Sequence, residues 1–112
     1  MGGKSPTARS LALLREMGYT AQVVEYFHAF SERRVDLFGI IDIIGAHPDL
    51  GILGVQATTG NNHSARVKKA RKCPVGPWLR AGGHLQVWSW SKKADGKWRP
   101  RIENLTVEDV EE

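Results

Sequence analysis

Leu11, Leu14 and Met17 recur at helical spacing behind Ser5-Pro6, an N-cap followed by a residue whose missing N–H costs nothing in a first turn. With Gly18 as the stop, the spacing predicts a helix over residues 6–17. From residue 20 to 30 the period changes to two. Val23, Glu25 and Phe27 fall on one side and Val24, Tyr26 and His28 on the other, which predicts a strand. Polar residues 31–34 predict a turn, and the apolar run 35–45 predicts a central strand covered on both faces. The sequence His47-Pro48-Asp49-Leu50-Gly51 predicts a turn into a strand over 52–58. Gly60-Asn61-Asn62 breaks that strand, and Asn62 can cap a second helix over 63–72. Pro74, Gly76 and Pro77 end it, residues 78–81 form a short turn, and residues 85–91 alternate as a strand. Ala94-Asp95-Gly96 marks a hairpin whose return strand runs over 98–102. The order α-β-β-β-α-β-β predicts an α/β (α+β) fold with a mixed central sheet flanked by helices.

The chain of 112 residues suits one domain, with a core over about 5–102 and a tail over 103–112 that frays or adds a short helix. The net charge of +4 conceals a segregation. The tail holds five acids and no base, which leaves sixteen bases against seven acids, or +9, on residues 1–102. A body this basic expects an anionic partner, most often nucleic acid. One cysteine, Cys73, supports neither an internal disulfide nor a cysteine-based zinc site. The longest apolar stretch, 37–46, is interrupted by Asp42, and Met1-Gly2-Gly3-Lys4 lacks a signal core. The expectation is therefore an intracellular, cytoplasmic protein with no membrane segment.

Chemistry concentrates in three places. Asp42 stands among Ile40, Ile41, Ile43 and Ile44, where a carboxylate is costly unless paired, neutralised or bound to a cation. Asp36 shares its parity, but on an unbroken strand the two lie roughly 20 Å apart, so Asp36 joins Asp42 only if the chain bends at Gly39. Counted outward from Asp49, Asp42 and Gln56 are equally distant, so a hairpin brings them together. Gln56 and Thr58 share a face and offer neutral oxygen atoms, and an oxygen cluster of this kind suits Mg²⁺ or Mn²⁺. The predicted second helix carries Arg66, Lys68, Lys69, Arg71 and Lys72, five bases in seven residues that can clamp phosphates. Asn61, Asn62 and His63 at its start add polar groups. Of the late tryptophans, Trp88 and Trp90 share a face with Gln86 and Lys92, a pattern read first as core packing and second as base stacking.

A helix, a strand, an apolar strand ending in Asp42, a turn, a strand ending in Gln56-Ala57-Thr58, and a helix together resemble the PD-(D/E)XK nuclease superfamily. The resemblance is to its archaeal-type Holliday junction resolvases and their phage relatives, over about residues 5–92. It implies a restriction-endonuclease-like fold and a magnesium-dependent endonuclease of DNA recombination, acting as a homodimer on branched or junction DNA. Asp42 falls on the family's metal-binding Asp, and Gln56-Ala57-Thr58 falls where the family has acid-x-Lys. On this reading Asp42, Gln56 and either Asp36 or Glu25 hold the metal, Glu25 standing in for an acid of the first helix. Lys68 or Lys69 supplies the lysine that Thr58 does not, and Arg33, Arg34, Asn62, His63, Arg66, Lys69 and Lys72 position DNA. The departures at Gln56 and Thr58 keep a second expectation open, a non-catalytic nucleic-acid-binding protein on a degenerate nuclease fold. A third is a scaffold that binds protein through its tryptophan face.

Overall fold

The structure is a computed structural model that describes residues 4–111; Met1, Gly2, Gly3 and the final acid Glu112 lie outside the described residues. A five-stranded mixed sheet forms the centre. Helix α1 (Pro6–Glu16) precedes strands β1 (Thr20–Val23), β2 (Tyr26–His28), β3 (Arg33–Val35), β4 (Ile43–His47) and β5 (Gly51–Thr59). A 3₁₀ turn at Gly60–Asn62 leads into α2 (His63–Lys72), α3 (Gly76–Arg80), β6 (His84–Lys92) and β7 (Trp98–Leu105). The sheet order is β1-β4-β5-β6-β7, with β5 and β6 parallel and every other pair antiparallel. The α2–α3 segment is the crossover that the parallel pair requires.

Each sheet face has its own apolar layer. Leu14 of α1 packs with Ile43, Val55, Trp88 and Trp90 on one face. Ile40, Ile41, Leu85, Val87 and Leu105 pack with Val67 and Ala70 of α2 on the other. Trp88 and Trp90 are thus core residues, and the Trp90 indole N–H donates to the buried Ser10 hydroxyl at 2.8 Å. The first helix starts as its sequence implies, with Ser5 Oγ accepting from the Ala8 N–H.

Two predicted strands break. The strand over 20–30 divides into β1 and β2, because the chain leaves the sheet after the Val24 N–H donates to the Asp42 carbonyl. The run 35–45 is not one central strand. Phe38 and Gly39 both adopt positive φ, 55° and 80°, and the chain reverses there. Leu37 and Ile41 exchange two backbone hydrogen bonds of 2.9 Å across the reversal. Ile40 and Ile41 on one arm are buried while Phe38 and Gly39 at the tip are exposed, so an apolar run serves a reversal as well as a strand and the periodicity misleads. The residues between the two breaks form a separate antiparallel ribbon, β2–β3, with Phe27 opposite Arg34. Arg33 and Arg34 therefore lie on a strand and not in the expected turn.

Among its described residues the acidic tail is packed and forms no helix. Its first residues complete β7, Val110 is buried in the α2-side core, and the Glu111 N–H donates to the Arg71 carbonyl at 2.7 Å. Asp109 accepts from the Thr106 N–H and hydroxyl, and these two donors hold its carboxyl below the usual range.

Candidate metal centre

Asp42 sits one residue before β4 and is 5% exposed. Its N–H donates to the Val55 carbonyl at 2.9 Å and its carbonyl accepts from Val24, so its backbone is clamped between β5 and the end of β1. The β4–β5 register sets Ile43 against Val55, and one step along it Asp42 meets Gln56. The symmetry about Asp49 noted in the sequence is realised.

The reversal at Phe38-Gly39 places Asp36 and Asp42 on its two arms, and Glu25 lies where the chain passes from β1 to β2. One carboxylate oxygen from each of Glu25, Asp36 and Asp42 lies within 4.8 Å of the others. The bend at Gly39 thus removes the separation that an extended strand would impose, and Asp36 and Glu25 both join Asp42. Burial pushes the Asp42 carboxyl up to about 8, and the adjoining Asp36 and Glu25 carboxylates push the same way, while the Ala57 N–H opposes them. Arg34 reaches Glu25 at 3.7 Å from the ribbon. Three carboxylates gathered around one point, one of them buried, form a donor set that fits a hard divalent cation such as Mg²⁺ or Mn²⁺.

Gln56 takes a different part from the one its position implied. Its Nε2 donates to the Ile40 carbonyl at 2.6 Å and to Asp42 Oδ2 at 2.9 Å. A carbonyl oxygen only accepts, so Ile40 fixes which end of the amide faces this way. Gln56 therefore presents a donor to Asp42 and is not placed as an oxygen ligand on this side. With the Ala57 N–H, also 2.9 Å from Oδ2, it holds the Asp42 carboxylate in one orientation. A glutamate at 56 would set its own oxygens against a carbonyl and a carboxylate. Gln56→Glu is expected to destabilise the metal-free protein by roughly 1–3 kcal/mol, the cost of a buried polar contact turned repulsive. Chemical denaturation in the presence of a chelator measures it, and unchanged stability would show that Gln56 does not orient Asp42.

The basic residues sort by face. Lys69 and Asp36 both act electrostatically on Cys73, whose sulfur a Cβ on Gly39 would approach to 3.5 Å. Lys69 thus lies on the side of α2 that looks towards the acidic loop. Lys68 instead lines a surface pocket with Arg71, Arg101 and Glu103, so of the two candidate lysines the fold favours Lys69. Thr58 is buried and Asn62 is exposed. Asn62 occupies the cap position of α2 without a side-chain cap bond; its Nδ2 donates to Thr59 Oγ1 at 3.0 Å instead. Arg33, Arg34, Lys69 and Lys72 are exposed, and Arg66 is half-buried.

His63 differs from the other candidate DNA contacts. It is 3% exposed, with Nδ1 2.6 Å from Ser89 Oγ and Nε2 2.8 Å from Glu103 Oε1. Both ring nitrogens are engaged inside the protein, so its assignment as a DNA contact is corrected: it ties α2 to β6 and β7. No spacing in the sequence announces a link across residues 63, 89 and 103. His63→Ala is expected to cost roughly 1–3 kcal/mol by leaving the buried Ser89 hydroxyl without this partner. A fall in thermal midpoint measures it; an unchanged midpoint would show the bond to be dispensable.

No family model matches this chain, and comparison with curated proteins and with solved structures likewise gives no match. Among the described residues no helix is long and apolar enough to cross a membrane.

Proposed function

We propose that this chain is a divalent-metal-dependent endonuclease that hydrolyses phosphodiester bonds in DNA, with branched or junction DNA as its substrate class. The observation that carries the reading is the convergence of Glu25, Asp36 and Asp42 from three separate chain segments. Three carboxylates this close cannot all ionise without a counter-charge, and Arg34 meets only Glu25, so a bound divalent cation would be what lets Asp42 ionise.

Glu25, Asp36 and Asp42 would hold Mg²⁺ or Mn²⁺, which when bound supplies water activation and offsets negative charge at the reacting phosphate. Gln56 and the Ala57 N–H fix the Asp42 carboxylate, so the donor set is oriented before a ligand arrives. Lys69 adds positive charge on the helix side of the loop. Arg33, Arg34, Arg66, Lys72 and the Asn62 amide grip the DNA backbone, contacts that position without reading sequence. The resemblance to junction resolvases supports a homodimer working inside the cell, one subunit for each strand cut.

A second reading, a non-catalytic nucleic-acid binder, is favoured by one observation. Strand β5 offers no lysine, since Thr58 is buried at the family's lysine position and Gln56 donates where an acid would ligate. One assay separates the two: a labelled four-way junction and a linear duplex, each incubated with the protein in Mg²⁺ or Mn²⁺. Cleavage supports the nuclease, and binding without cleavage in either metal supports the second reading. Absence of both at low salt would overturn both.

A further inference from the structure

A second feature lies at the other end of the sheet's chemistry. A cavity of about 450 Å³ opens where the parallel strands β5 and β6 end. Its lining includes Asn61, Lys92, Lys93, Trp98 and Arg101, and no acidic residue. Among the described residues no ion pair engages Lys92, Lys93 or Arg101, and Arg101 also borders the pocket that holds Glu103, so Lys92 and Lys93 are the two cations of this cavity with no acidic residue lining a pocket beside them.

The aromatic wall is pre-arranged. Trp98 is 41% exposed, whereas Trp88 and Trp90 are buried in the core. The Arg9 guanidinium lies 4.4 Å from the centroid of a Trp98 ring and lines the neighbouring cavity, which Trp98 also borders. The indole is thus braced from the α1 side while it borders the cationic cavity. The loop that closes the opposite wall is held as well. Thr59 Oγ1 donates to Asn61 Oδ1 at 2.7 Å, which occupies the amide oxygen and leaves the NH₂ as the available donor. Gly60 lets this loop pass close to β6, since a Cβ there would come 3.1 Å from that of Ser91.

We propose that this cavity binds a nucleotide unit, its base stacked on Trp98 and its phosphate held by Lys92, Lys93 and Arg101. A planar apolar wall beside unneutralised cations is the combination that single-stranded nucleic acid uses, and stacking tolerates any base. The unit is either a free mononucleotide or one residue of a single strand. The site uses none of the acidic residues of the metal centre, so it stands or falls independently of the nuclease reading.

The test is fluorescence anisotropy of 5′-fluorescein-labelled (dT)₈ with the full chain in a chelator, at low salt. Saturable binding is expected, weakened roughly 5- to 100-fold by Trp98→Ala, the range that loss of one base–aromatic stack supports. Trp98→Phe is expected to restore part of it, which a general folding defect would not permit. Lys92→Ala with Lys93→Ala is expected to lower the slope of log affinity against log salt by about 0.7, the value for one phosphate on a single strand. The assay is read in chelator, so the metal centre holds no cation and failure here is separable from failure of that centre. Competition with dTMP identifies the source: displacement points to free mononucleotides as ligands, and retention with full Trp98 dependence points to the strand. Failure to bind (dT)₈ and dTMP alike, or binding indifferent to Trp98→Ala, overturns the proposal.

Discussion

Asp42→Ala is expected to lower Mg²⁺- or Mn²⁺-dependent cleavage by on the order of 10³-fold or more, since a catalytic metal supplies several kcal/mol of transition-state stabilisation. Asp42 is the buried member of the three, and its side chain alone among them is held by Gln56 and the Ala57 N–H. Removing it takes away a ligand and leaves the Gln56 amide without its acceptor. Asp42→Asn is the sharper variant. An asparagine oxygen can still accept from Gln56 and Ala57, so the fold is expected to survive while the anionic ligand is lost. Cleavage by Asp42→Asn at the wild-type rate would remove Asp42 from the centre. The DNA binding proposed for Arg33, Arg34, Arg66, Lys69 and Lys72 is expected to change less than cleavage in either variant. Lys69→Ala is expected to impair cleavage more than Lys68→Ala, because Lys68 borders a pocket with Arg101 and Glu103 on the other side of α2.

How much of this was legible in the sequence depends on the range of each interaction. Helix α2 over 63–72 and the Asp42–Gln56 juxtaposition follow from local spacing and a single turn, and both appear as the sequence implied. The mixed sheet between helices follows from element order. The break at Gly39 is what the apolar run 35–45 conceals. The apolar side chains read alike for a buried strand and for this reversal, whose tip is exposed and whose Phe38 and Gly39 take positive φ. Because Asp36 was tied to that bend, its place in the centre was conditional until the bend was located. The role of Gln56 was hidden for another reason. An amide offers an oxygen and an NH₂ with equal ease, and the Ile40 carbonyl that selects the NH₂ is a backbone group with no sequence signature. The His63–Ser89–Glu103 link and the docking of Val110 depend on contacts between residues far apart in the chain, which periodicity does not encode.

The metal-free protein is expected to lose stability as pH rises from about 4 to about 8. The Asp42 carboxyl stands at about 8 in the fold against 3.8 for an unperturbed aspartate. Between those values the folded protein retains a proton that the unfolded chain has released, so stability falls with rising pH. It is fully present below 3.8 and is lost as pH passes through 8. Other shifted groups act elsewhere. Asp95 and Asp109 lie below their usual value, so their contributions vanish only as pH falls through the acid range. Burial raises the Cys73 thiol above 9.0, beyond the alkaline end of the window. A loss of a few kcal/mol is expected across it, given about 1.4 kcal/mol per pK unit and a charge shared with Asp36 and Glu25. In a domain of this size that corresponds to a thermal midpoint lower by on the order of 10 °C at pH 8 than at pH 5. A divalent cation bound to the deprotonated cluster of the folded state would oppose this loss by offsetting the repulsion. Thermal unfolding followed by circular dichroism across this range, in chelator and again in Mg²⁺ or Mn²⁺, reads both effects. The wild type is expected to slope downward in chelator and to flatten with the metal, while Asp42→Asn stays flat in both. A slope that persists in Asp42→Asn would assign it to another group, and a wild-type slope untouched by either metal would leave Glu25, Asp36 and Asp42 as an acidic cluster without a cation.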